Sequence, residues 1–198
     1  MIWNEQFVWL HIPKTGGTTM SRIFKNINDP HLMIDDDSED KKHDSEYERR
    51  NRDDNWNIGA RKKLVNIRRL SSWLVSDWKH KRKHMKLPEL PFEPVRSGLF
   101  YSVRLGGIWI TADYWLKHLC VDRNTQLIRL EYLEVDFKKY VFPLTNPIDN
   151  TITFDRKENN IELIGSDKDK YTISGKNDLD RIYRNNPYWA EIERKTYQ

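Results

Sequence analysis

The run from Phe7 to Ile27 limits the folds open to this chain more than any other stretch. Phe7-Val8-Trp9-Leu10-His11-Ile12 is an apolar run of strand length, rich in aromatic and branched residues. Pro13 ends the strand pairing because it has no N–H to donate. Gly16 and Gly17 then allow a sharp turn and a close approach of the backbone to a ligand. Met20, Ile23, Phe24 and Ile27 follow at helical spacing, which predicts an amphipathic helix capped by Thr18 or Thr19. Strands alternate with helices further along the chain. The pattern predicts an α/β fold with a central parallel sheet flanked by helices.

The loop inside that run carries chemistry. A glycine turn feeding a helix N-terminus presents backbone N–H groups and the positive end of a dipole, which suits a phosphate or sulfate. Lys14 adds a full positive charge, and Thr15, Thr18 and Thr19 add hydroxyl donors. A bare Gly-Gly turn with a solvated lysine would need no ligand. The strand, the Pro-Lys-Thr-Gly-Gly-Thr-Thr loop and the amphipathic helix together favour an anion. In the Walker pattern the lysine follows the glycines, whereas Lys14 precedes them, which argues against an ordinary ATPase or kinase.

His11-Ile12-Pro13-Lys14-Thr15-Gly16-Gly17-Thr18-Thr19 resembles the 5′-phosphosulfate loop of sulfotransferases that use 3′-phosphoadenosine 5′-phosphosulfate (PAPS), in their carbohydrate (heparan-sulfate-type) and bacterial branches. The resemblance implies a P-loop-like sulfotransferase fold over a single domain, residues 1–198. It implies that Lys14, Thr15, Gly16, Gly17, Thr18 and Thr19 hold the phosphosulfate, with Lys14 neutralising the bridging oxygen as the sulfuryl group leaves.

Arg68-Arg69-Leu70-Ser71-Ser72-Trp73-Leu74-Val75-Ser76-Asp77-Trp78 is similar to the family's 3′-phosphate motif, with Arg68 and Ser76 in the ligand positions. An Arg fork grips a phosphate through paired bonds, and a helix hydroxyl gives a further donor. Leu70 stands where the family has proline, so the register is open by one and Arg69 is the alternative ligand.

The family's general base lies between the two motifs. His43 is the best-placed residue, with Glu46 and Glu48 as substitutes; its other reading is a surface histidine in a polar loop. The implied reaction moves a sulfuryl group from PAPS to a hydroxyl or amine of a sugar or small molecule and needs no metal. Two other classes stay open. One is a nucleotide-dependent kinase or phosphotransferase. The other is a catalytically inactive module that binds a nucleotide, or an anionic polymer through the basic run 79–86.

Composition narrows the rest. A chain of 198 residues has core enough to fold alone. A net charge of +4 fits an anionic ligand without indicating nucleic acid. The single cysteine, Cys120, excludes an intrachain disulfide, favours a reducing compartment and reads as a buried, inert thiol. The absence of a basic-then-apolar leader, and the interruption of the apolar stretch Ile108–Leu116 by Asp113, lead to the expectation of a cytoplasmic protein without a membrane partner. The acidic run 35–40 reads as a solvated loop; a metal site there is set aside because adjacent side chains on an extended chain point apart.

Elsewhere the pattern predicts a short helix over 43–52 anchored by Tyr47, a strand over 63–68 and a helix capped by Ser71-Ser72 and running to about Met85. It then predicts a helix over 111–119, a strand over 125–131, a helix from Tyr132, a hairpin within 146–166 and a helix after Gly175.

Overall fold

The computed structural model describes residues 1–35, 41–53, 56–147, 154, 171–173 and 175–198. Its strands are β1 (Ile2–Trp3), β2 (Phe7–Leu10), β3 (Met33–Ile34), β4 (Lys62–Ile67), β5 (Leu99–Ser102), β6 (Ile108–Thr111) and β7 (Gln126–Arg129). The helices are α1 (Gly17–Ile27), α2 (Glu46–Arg52), α3 (Leu70–His84), α4 (Glu93–Arg96), α5 (Asp113–His118), α6 (Leu133–Asp136), α7 (Lys176–Asn185) and α8 (Pro187–Thr196). A π-turn, Phe137–Val141, and a 3-10 turn, Phe142–Leu144, continue α6. The chain divides into two compact units, Met1–Ile67 with Lys117–Glu158 and Arg68–Leu116 with Asn159–Gln198.

The first unit holds a mixed sheet in the order β3-β1-β2-β4-β7. β2, β4 and β7 run parallel, as the sequence predicts, with Leu10 opposite Val65 and Asn66 opposite Ile128. β1 departs from the expectation by pairing antiparallel with β2 and with β3. The reason is chain length: three residues join β1 to β2, and a parallel crossover needs a dozen or more. Asn4 makes that turn by accepting the N–H groups of Gln6 and Phe7 on its side-chain oxygen.

Every residue of β2 is buried, the pattern of a strand covered on both faces. Met20, Ile23, Phe24 and Ile27 of α1 pack on Phe7, Trp9, Leu64 and Ile128 of the sheet and on Leu133, Phe137 and Val141. Each such side chain contributes about 1.5–3 kcal/mol by leaving water. This packing fixes α1 against the sheet and so fixes the loop that enters it.

In the second unit Trp73 of α3 centres a second core, 5.1 Å from the Trp189 ring and 5.3 Å from that of Phe100. β5 and β6 form an antiparallel hairpin that the sequence reading did not contain, and α5 starts at Asp113 instead of Thr111. Asp113 explains that start: its carboxylate accepts the N–H groups of Tyr188 and Trp189 at the head of α8.

Four local expectations are corrected. α2 begins at Glu46, not His43, because Ser45 and Glu48 form a reciprocal capping box that sets the start. Tyr47 is 72% exposed and anchors nothing. Ser71 and Ser72 lie inside the first turn of α3, whose leading N–H, that of Leu70, is taken by Glu193. Cys120 is exposed, at a left-handed φ of 49° in the turn after α5. The expected 146–166 hairpin falls largely, and Asp36–Asp40 wholly, outside the described residues. Among the described residues no helix is long and apolar enough to cross a membrane.

Candidate functional site

β2 leaves the sheet at Leu10, and the chain turns into α1 within six residues. Thr15 closes the turn: its hydroxyl donates to the Ile12 carbonyl at 2.7 Å and its N–H reaches the same oxygen at 3.4 Å. Lys14 and Gly16 take left-handed backbone angles, φ 65° and 89°. At Gly16 any other residue would be strained, and a Cβ there would lie 2.5 Å from Leu130 Cδ1.

Gly16, not Thr18 or Thr19, is the N-cap of α1, and no side chain among the described residues caps the helix. Both threonines lie within the first turn. The first N–H groups of an α-helix have no partner inside it, and the first turn of α1 holds no acidic residue. With the dipole and the charge of Lys14, the electrostatics favour an anion at this end.

Gly17 is glycine for a reason the sequence reading missed. It is helical, and a Cβ there would stand 1.8 Å from Nε2 of His11. The His11 imidazole thus occupies the space of a residue-17 side chain. His11 is 6% exposed, and its Nε2 is buried with no hydrogen-bond partner among the described residues. Burial drives its pKa well below the usual histidine value, and His43 when protonated, Lys42, the N-terminus and Lys14 lower it further. His11 is therefore neutral at pH 7.

Three rings follow one another at the loop. Trp9 stacks on His11 with centroids 5.2 Å apart and planes 17° apart, and His43 meets His11 at 4.5 Å with the planes tilted by 43°. His43 Nδ1 bonds the His11 carbonyl at 3.0 Å. A carbonyl only accepts, so Nδ1 carries the proton and Nε2 of neutral His43 bears the lone pair. The structure brings His43 next to the residue that packs on Gly17, half-buried in the turn before α2.

The substitute bases sit differently. Glu48 accepts from the backbone and hydroxyl of Ser45 and lies 3.1 Å from His118 Nε2, which also reaches the His43 carbonyl at 3.3 Å. Its carboxylate is engaged in building α2. Glu46 pairs with Arg50 one turn on.

The second motif belongs to the second unit. The Arg68 carbonyl accepts the Trp189 indole N–H at 3.3 Å, and Ser76 is half-buried on α3. Arg69 lies over the Tyr197 ring at 4.5 Å and 3.7 Å from Glu193. Arg69, Tyr183, Glu193, Arg194 and Tyr197 line a cavity of about 290 Å³. Burial and the neighbouring Glu193 push the Tyr183 phenol well above its usual range, so it stays protonated and donates to Glu193. Of the two registers left open, it is Arg69 that lines this cavity.

Sequence reasoning missed Trp9, His11 and Asn66 as parts of the site. His11 was legible in principle, as a histidine ending an apolar strand before two glycines. Asn66 was legible as a polar residue inside a buried strand. Comparison with protein-family models, curated proteins and solved structures finds no match for this chain.

Proposed function

We propose that this protein is a PAPS-dependent sulfotransferase with a P-loop-like sulfotransferase fold, transferring a sulfuryl group to a hydroxyl or amine of a sugar or small-molecule acceptor. One observation carries the reading. The side-chain-uncapped, acid-free N-terminus of α1, entered through Lys14 and a left-handed Gly16, packs on the His11 ring, and His11 in turn meets His43, whose Nδ1–H is committed to a carbonyl. That pairs a site for charge developing on a leaving phosphate with a group that can take the acceptor's proton. Lys14 and the amides of residues 15–19 would stabilise the leaving oxygen, and His43 Nε2 would receive the proton. The 3′-phosphate contacts of Arg68 or Arg69 and Ser76 rest on the resemblance.

Calorimetric titration with adenosine 3′,5′-bisphosphate, the desulfated donor, tests the binding half. Micromolar affinity that drops on Lys14→Ala supports it, and no heat at millimolar ligand ends the proposal. Turnover tests the other half. His43→Ala should lower kcat by about 10²–10⁴ and Glu48→Gln, which keeps the cap bonds, by far less. Equal losses in the two variants would remove His43 from its role.

A further inference from the structure

Asn66 is fully buried in β4 between two parallel neighbours, a place that ordinarily takes an apolar side chain. The register that sets Leu10 opposite Val65 puts Asn66 level with His11, where β2 leaves the sheet. Its oxygen accepts the Trp9 indole N–H at 2.8 Å, and its nitrogen donates to the Thr15 carbonyl at 3.1 Å. An indole N–H only donates and a carbonyl only accepts, so the orientation of the amide is settled by its partners.

The consequence follows from peptide geometry. A trans peptide points its C=O and N–H in opposite directions. With the Thr15 oxygen held on Asn66, the Gly16 N–H points away from Asn66 and the buried strand that carries it. The other half of the same amide holds Trp9, on which His11 stacks, with His43 in tilted contact with His11. We infer that Asn66 is the positioning residue of the candidate site, setting with one carboxamide both the direction of the Thr15–Gly16 peptide and the placement of the Trp9, His11 and His43 rings. The inference rests on the reading that loop 13–19 holds the anion. Side-chain chemistry leaves little choice at 66: ionised Asp cannot donate, Leu can do neither, and Gln is a methylene too long.

The test separates the two halves. Asn66→Asp keeps the acceptor for Trp9 and loses the donor to Thr15; Trp9→Phe does the reverse. In the unliganded protein, Asn66→Asp should move the Gly16 and Gly17 amide resonances, and Trp9→Phe the ring resonances of His11 and His43. With adenosine 3′,5′-bisphosphate and inorganic sulfate as probes, Asn66→Asp should bind about tenfold or more weakly, the equivalent of one buried hydrogen bond lost. Trp9→Phe should stay within about twofold. If Asp at 66 prevents folding, Asn66→Leu replaces it and should show both sets of shifts. Loop amides that stay in place without the donor, or that move equally in Trp9→Phe, overturn the inference. Wild-type protein that binds neither probe removes the proposed function instead, and the amide resonances still decide the role of Asn66.

Discussion

Gly17→Ala offers the sharpest test of the loop, because two effects of opposite sign meet at one atom. Alanine is the better helix residue by about 1 kcal/mol, so at an ordinary helical glycine the change stabilises. Here the new methyl would stand 1.8 Å from His11 Nε2, 1.9 Å from Cε1 and 2.6 Å from Cδ2. The imidazole has little room to step aside, since Trp9 covers one face, His43 is in tilted contact 4.5 Å away and the ring is buried. Overpacking of this kind costs about 1–3 kcal/mol, and the depth of the overlap puts it at the upper end. Set against the helix term, the net loss is about 2 kcal/mol. In a His11→Ala background the obstruction is gone, and the same Gly17→Ala change should stabilise by about 1 kcal/mol. Urea unfolding of the four proteins gives the cycle, with unchanged m-values as the condition for comparing midpoints. The reversal of sign is the diagnostic. Gly17→Ala that is neutral or stabilising in the wild type would show that His11 does not fill that space, and the account of the loop would fail with it.

Two further outcomes can be measured without a ligand. His11 is neutral when folded and titrates near 6.5 when unfolded, so the unfolded chain binds the extra proton below that pH. Its contribution is intact above pH 6.5 and is lost as pH falls toward the depressed folded pKa, by at most about 1.4 kcal/mol per unit; denaturant midpoints against pH should lose this component in His11→Gln. Ser45→Ala removes half of the capping box of α2, a helix with no buried residue, and should cost about 1 kcal/mol in urea melts and loosen the His43 turn, read as increased amide exchange at 43–45. An unchanged melt would mean that α2 is held from elsewhere.

What the sequence made legible follows the range of the physics involved. The β2–loop–α1 run could be read because every cue is local: an apolar strand, a proline stop, two glycines and a 3.6-residue apolar period. The same holds for β4, α3 and α7. The β1 and β3 strands were missed because two-residue strands have no period to detect and gain their order from Asn4 and from pairing with β2. α2 was read three residues too early although Ser45-Glu46-Tyr47-Glu48 carries the capping-box spacing in plain view. The cap of α3 was misassigned for a different reason: Glu193, which takes the Leu70 N–H, lies 123 residues away, and no local pattern announces such a bond. Asn66 and His11 join the site only through parallel register, which the sequence alone does not supply.

Two adjacent histidines of opposite environment explain why the candidate base is His43 and not its neighbour. His11 is buried and held neutral, with Nε2 pressed on Gly17 and no route to water. His43 is half-buried, with Nδ1 committed to the His11 carbonyl, so Nε2 is the nitrogen that can take a proton. The rings are 4.5 Å apart, and a charge on one opposes a charge on the other. Because burial holds His11 neutral, His43 is the member of the pair left as the candidate base. A second consequence concerns the loop. A proton on His43 adds positive charge beside an N-terminus that, on the proposed reading, has just received the leaving phosphate, and it arrives in the step that creates that charge. Replacing His11 by a permanent cation should therefore damage the base and not only the fold. His11→Arg, whose guanidinium keeps its charge even when buried, would compete with His43 for the single positive charge the pair tolerates and should push any activity-controlling pKa of His43 downward in a pH–rate profile, whereas a purely structural role for His11 would lower the rate at every pH alike.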